Sequence, residues 1–129
     1  MAVNFSQNSV WTLKPTESDT VKHDVAGLLI DGEEVAMTFQ TANEQMVFTN
    51  KRIIAVDAQG ITANRKAFST LPYSKIQYFS LQTPELGGSM PDGELFIVFS
   101  HIFTAKFEFK GTVDIGRIGR MISAYVLEK

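Results

Sequence analysis

Five cations stand close together in the middle of this 129-residue chain: Lys51, Arg52, Arg65, Lys66 and Lys75, with Asp57 the one acid among them. Arg and Lys at successive turns of a β-rich segment hold phosphate or carboxylate through charge-assisted hydrogen bonds. The cluster is therefore a candidate contact for an anionic lipid headgroup, a phosphate ligand or an acidic protein surface. Residues 17–44 have the opposite balance, seven acids against one Lys. If the basic stretch of one copy meets the acidic stretch of the next, the contact is head-to-tail and can close into a ring.

Other chemistry is thin. Residues 111–118 have the glycine spacing of a phosphate-binding loop, but Arg117 stands where the Lys is needed and Ile118 where a Ser or Thr would hold magnesium. Gly116 and Gly119 are better read as letting a helix lie close to a sheet or a neighbouring subunit. His23 and His101 have no companions at metal-ligand spacing, and neither lies in a motif that would activate a Ser or Thr. The sequence has no Cys, which excludes thiol catalysis, thiolate metal sites and disulfides. No catalytic residue, metal ligand or cofactor is expected, and the chain reads as a non-enzyme.

A chain of this length fits one domain with a substantial core. A net charge of -2 argues against nucleic acid as a partner. The start of the chain has neither a basic segment nor an apolar run, so no secretory signal is read. The longest apolar stretch, residues 25–30, falls far short of the roughly twenty residues that span a bilayer. A cytoplasmic, soluble protein is expected.

The elements that must position the cations follow from periodicity. Residues 1–15 read as a polar arm carrying Trp11, and 16–129 as a single domain. Glu17 and Asp19 suit the start of a helix whose apolar face is Val21, Val25, Leu28 and Leu29 and which Asp31-Gly32 stops. A period of two then sets in with Val35, Met37 and Phe39. Asn50-Lys51 marks one turn, and Asp57-Ala58-Gln59-Gly60 has the Asp and Gly of a type I turn, giving a three-stranded meander. These two turns are successive, so they fall at opposite ends of it. Leu71-Pro72 breaks the chain before a strand from Ile76. Residues 83–93 form a loop, residues 95–99 a strand buried on both faces, and Phe103, Ala105, Phe107 and Phe109 the dry face of another. Asp114 caps a final helix with a stripe of Ile115, Ile118, Ile122 and Tyr125. Strands first and a helix last exclude βαβ units and leave an antiparallel, mainly β (α+β) fold.

The central residues also carry a likeness. Phe48-Thr49-Asn50-Lys51-Arg52-Ile53-Ile54, then Asp57 to Thr62, then Pro72-Tyr73-Ser74-Lys75-Ile76 with Phe79-Ser80, resemble the signature of the bacterial pleckstrin-homology (PH) domain family. The chain departs from it at Ala63-Asn64-Arg65, where members have a Gly and two Lys, and at Gln82, where they have a Glu. The resemblance implies a PH-like seven-stranded antiparallel sandwich or partly open barrel capped by a C-terminal helix, here with an extra N-terminal helix. It also implies self-assembly into a homo-oligomer, ring-shaped in some members, and brings no catalytic residues and no established ligand. The partners expected are the chain itself and another protein, with membrane lipid the alternative.

Overall fold

Alternation of apolar and polar residues lays down a curled sheet, closed over by one helix on the inside and a second on the outside. The computed structural model describes residues 9–16, 19–41, 44–59, 65–82, 90–91, 93–99 and 103–128. Its elements are β1 (Ser9–Pro15), α1 (Asp19–Ala26), β2 (Val35–Gln40), β3 (Glu44–Thr49), β4 (Arg52–Gln59), β5 (Arg65–Pro72), a 3-10 turn η1 (Tyr73–Lys75), β6 (Ile76–Gln82), β7 (Met90–Pro91), β8 (Glu94–Phe99), β9 (Phe103–Phe109), β10 (Thr112–Val113) and α2 (Ile115–Leu127). The main sheet has eight strands in the order β5-β4-β3-β2-β1-β9-β8-β6, and β7 and β10 make a separate pair.

The expected arm is in part a central strand. β1 slots between β2 and β9, antiparallel to the first and parallel to the second, with Trp11 beside Phe107 and Leu13 beside Phe109. Two inward side chains explain why it stays. Trp11 stacks on Phe107 at 5.2 Å and 16°, and Leu13 is completely buried. Without β1, β2 and β9 would each expose an unpaired row of backbone N–H and C=O groups. It raises the count from seven strands to eight and adds one parallel ladder to an otherwise antiparallel sheet.

Two cores result. Phe39, Phe48, Phe107 and Phe109 meet edge-to-face or tilted at 5.1–6.3 Å and are covered by Ile115, Ile118 and Ile122 of α2. On the opposite face Val47, Ile54 and Val56 pack under Val25 of α1, with Leu29 and Val35 at the margin. A register shift between Val35 and Met37 puts Val35 in the second core, while Met37 and Phe39 serve the first.

Several boundaries differ from expectation. α1 ends at Ala26, before Leu28 and Leu29, and Gly32 lies in a left-handed turn (φ 79°) rather than at a helix end. β4 runs straight through the expected Asp57 turn: Asp57 pairs with Glu44 and Ala67, is buried, and its carboxylate finds no hydrogen-bond partner among the described residues. The β4–β5 ladder continues to Gln59 opposite Arg65, and residues 60–64 lie outside the described residues. β8 is dry on one face only, since Phe96 and Val98 on the other are partly exposed. Asp114 does cap α2, accepting from the Arg117 amide at 3.0 Å.

Trp11→Ala and Phe107→Ala should each cost about 3–5 kcal/mol in urea unfolding. Val10→Ala, on the exposed side of β1, should change stability by less than about 0.5 kcal/mol. A loss below about 1 kcal/mol for Trp11→Ala would show that β1 is not integral to the sheet.

Candidate interaction surface

The β3–β4 turn is assembled around one carboxylate. The Thr49 hydroxyl accepts from the Lys51 and Arg52 amides, both at 3.0 Å, and donates to Glu33 Oε2 at 2.7 Å. Arg52 grips the same carboxylate with two donors, Nε to Oε2 at 2.9 Å and Nη2 to Oε1 at 3.0 Å, and the Ile30 amide donates to Oε1 at 3.1 Å. Arg52 also donates from Nη2 to the Leu28 carbonyl (2.6 Å) and from Nη1 to Thr70 Oγ1 (3.0 Å). Tyr73 donates its hydroxyl to the Thr49 carbonyl at 2.7 Å. The Glu33 side chain is wholly buried.

Burial alone would push the Glu33 carboxyl up. The hydrogen bonds from Arg52, Thr49 and Ile30, helped by the guanidinium charge, outweigh it and hold the group below the usual carboxylate value. Burial, and then the Glu33 charge, drive Tyr73 far above the normal phenol range, so it stays a neutral donor.

The five expected site residues do not form one pocket. Lys51, Arg52 and Lys75 lie at the end of the sheet next to α2, where Lys51 Nζ sits 5.8 Å from the centre of the Tyr125 ring. Lys66 is at the other end, beside Ala58. That is six residues along β4 from Arg52, about 20 Å at ~3.4 Å per residue. Arg65 follows it on the backbone ladder next to Gln59, and its side chain lies outside the described residues. Two of the cations are already neutralised: Arg52 by Glu33, and Lys66 by Asp24 of α1. The acidic and basic stretches therefore meet within one chain, α1 and its following turn being strapped to the outer face of β3–β5. Lys75 is exposed, as is His23, and His101 lies outside the described residues. No group of three potential metal ligands occurs among the described residues.

A surface the cation pattern did not indicate lies at the far end of the sheet. β6 pairs with β8 on one side and ends the strand order on the other. Sheet edges are normally guarded by charge or Pro. The opposite edge, β5, carries Arg65, Lys66 and Pro72, whereas IQYFSLQ in β6 has neither charge nor Pro. Tyr78 is 58% exposed there. Beside this edge a hollow of about 450 Å³ opens between β6 and α2, lined by Phe79, Leu81, Gly116, Gly119, Ala124 and Leu127, with Arg120 and Glu128 also in its wall. Gly119 brings α2 this close: a Cβ there would come within 2.5 Å of Leu81 Cδ1. The sequence signal was present, in an uncharged seven-residue strand after Pro72, but only the strand order shows that one side of it has no strand neighbour among the described residues.

Comparison with known proteins agrees with this architecture. Residues 4–126 match the family model described as "Bacterial PH domain". The chain belongs to the bacterial PH domain family. It is 31% identical over 104 residues to YjqA of Bacillus subtilis, covering 81% of this chain and 83% of that one. Among solved structures, a protein with a pleckstrin-homology domain from Shewanella loihica superposes with a TM-score of 0.65 at 26% identity, covering 89% of this chain and 97% of the other. A pleckstrin-homology domain from Shewanella amazonensis gives 0.53 at 30%, with coverages of 85% and 90%. No described helix is long and apolar enough to cross a membrane.

The buried network sets an acid limit on this PH domain. Glu33 stays ionised in the folded chain to lower pH than in the unfolded one, so unfolding takes up a proton as pH falls through the unfolded value near 4.5. Stability held above that value should be lost on further acidification. Glu33→Gln should flatten this part of the slope in urea titrations at pH 3–6. Arg52→Ala, which strands the carboxylate, should cost about 3–5 kcal/mol at pH 7.

Proposed function

We propose that this protein is a non-enzymatic PH-like interaction module of the cytoplasm that self-assembles into a homo-oligomer and acts as a scaffold. The observation that carries the reading is the bare β6 edge beside an apolar hollow. Among the described residues β6 has no strand neighbour on its outer side, and such an edge, flanked by Tyr78, Phe79 and Leu81, is a template for adding a polypeptide strand. Any second copy brings the same edge. Support for a head-to-tail ring driven by charge is weaker, because Arg52 and Lys66 already have partners in their own chain. The same pairing weighs against the alternative, anionic lipid or phosphate binding through Lys51, Arg52, Arg65, Lys66 and Lys75.

Solution mass by size-exclusion chromatography with light scattering tests the reading. The expected result is a discrete multiple of 14.3 kDa that survives high salt, since backbone pairing and apolar contact are not screened. A monomer at every concentration and salt would overturn it, and anionic liposomes would become the next ligand to try.

A further inference from the structure

We propose that the cleft between the start of β2, the β3–β4 turn and the first half of α2 binds a small monocarboxylate. Its charged head lies between Arg117 and Arg120 and its apolar body on Val35, Ala36 and Met121. This site is separate from the β6 edge and from the five cations that the sequence marked.

The cleft holds about 390 Å³, within the range of small-molecule sites. One wall is fixed by Asn50, which is tied three ways to the segment before β2. Its amide donates to the Glu34 carbonyl at 3.1 Å, its side-chain oxygen accepts from the Glu34 amide at 2.8 Å, and its Nδ2 donates to the Gly32 carbonyl at 2.9 Å. Next to this wall β2 is irregular. Val35 is opposite Thr49 and Met37 opposite Phe48, so Ala36 between them has no residue facing it. Bulges of this kind re-aim side chains and are frequent beside binding sites. Ala36 and Val35 line the cleft, with Met121 of α2 across from them.

α2 supplies the charge. Arg117 and Arg120 stand at i and i+3, hence as neighbours on the helix surface, and both line the cleft. The Arg117 guanidinium has no partner among the described residues, and the residue is exposed. Arg120 has a single ion pair among them, with Asp114 at 4.0 Å, and its side chain is 68% exposed. Two forked guanidinium groups beside an apolar floor suit a planar carboxylate, which accepts parallel N–H···O bonds.

The acids decide which anion enters. Glu34 is in the wall and Asp114 is beside Arg120, so the formal charges of two Arg and two acids cancel before a ligand arrives. A singly charged head meets both Arg at little cost from Glu34. A phosphate monoester, at about -1.5 to -2, is repelled more. Lys51 follows Asn50 in the chain but is held at the Tyr125 ring and does not line the cleft.

Met121 reports on the site. In a chain carrying methyl-13C Met, benzoate should move the Met121 signal saturably in NMR spectra. The signal of Met46, completely buried in the main core, should stay in place. Arg117→Ala, at an exposed position, should weaken benzoate about tenfold and leave the circular dichroism spectrum unchanged. Glu34→Gln should tighten benzoate and admit inorganic phosphate, which should not move Met121 in the wild-type chain. A Met121 shift matched by sodium chloride at equal ionic strength, or one that persists undiminished in Arg117→Ala, would overturn the site. Phosphate binding the wild-type chain as tightly as benzoate would overturn the choice of a monocarboxylate. These signals are read on a monomer or an oligomer alike, so a monomeric chain that binds benzoate would leave this site standing while the self-assembly reading fell.

Discussion

The Glu33 carboxylate is the point to which most of the described segments are tied. Through Arg52 it reaches the Leu28 carbonyl after α1 and Thr70 on β5; through Thr49 it fixes both amides of the β3–β4 turn; and Tyr73, bonded to the Thr49 carbonyl, carries the connection to η1. The Tyr73 and Tyr125 rings, 6.1 Å apart, extend it to α2. A buried ion pair of this kind gains little net stability, since desolvation offsets most of the attraction. Its consequence is organisation. Removing either charge leaves the other stranded, so α1, the turn and the α2 end of the sheet are held in one arrangement.

That organisation decides what remains for binding. Two of the cations that in isolation look like an anion site, Arg52 and Lys66, are paired with Glu33 and Asp24, and Val25 packs on Val47, Ile54 and Val56 of the outer face. β1 seals the seam between β2 and β9 in the same sense. A curled sheet of eight strands still has two ends. Here they are β5 and β6, consecutive in the chain and joined by η1. One end is protected by charge and Pro, the other is not. The proposed interaction surface is thus the sheet edge that neither charge nor Pro guards.

Much of this was legible in the residues. The strands and α2 follow from strict alternation at Phe103, Ala105, Phe107 and Phe109 and from the Ile115, Ile118 and Ile122 stripe. The opposite placement of the Asn50 and β4–β5 turns follows from the meander. What was not legible depends on long-range contacts. Two apolar side chains in a polar segment, Trp11 and Leu13, do not announce a parallel partner almost a hundred residues away. Asp57 and Gly60 form a turn signal that a longer β4 overrides, because the ladder to Ala67 continues past it. The acid partners of Arg52 and Lys66 are Glu33 in the turn after α1 and Asp24 in α1, and no local pattern says which strand residues they reach. A bare edge is a property of strand order, and strand order is not written in any one strand.

The central claim is that copies of this chain meet at β6 rather than through the basic meander. Amide hydrogen exchange at increasing protein concentration measures this residue by residue. The account predicts slowing in residues 78–82, with residues 50–52 and 65–66 unchanged. Unchanged exchange in β6 alongside slowing at the β3–β4 turn would contradict it and return the contact to the cations.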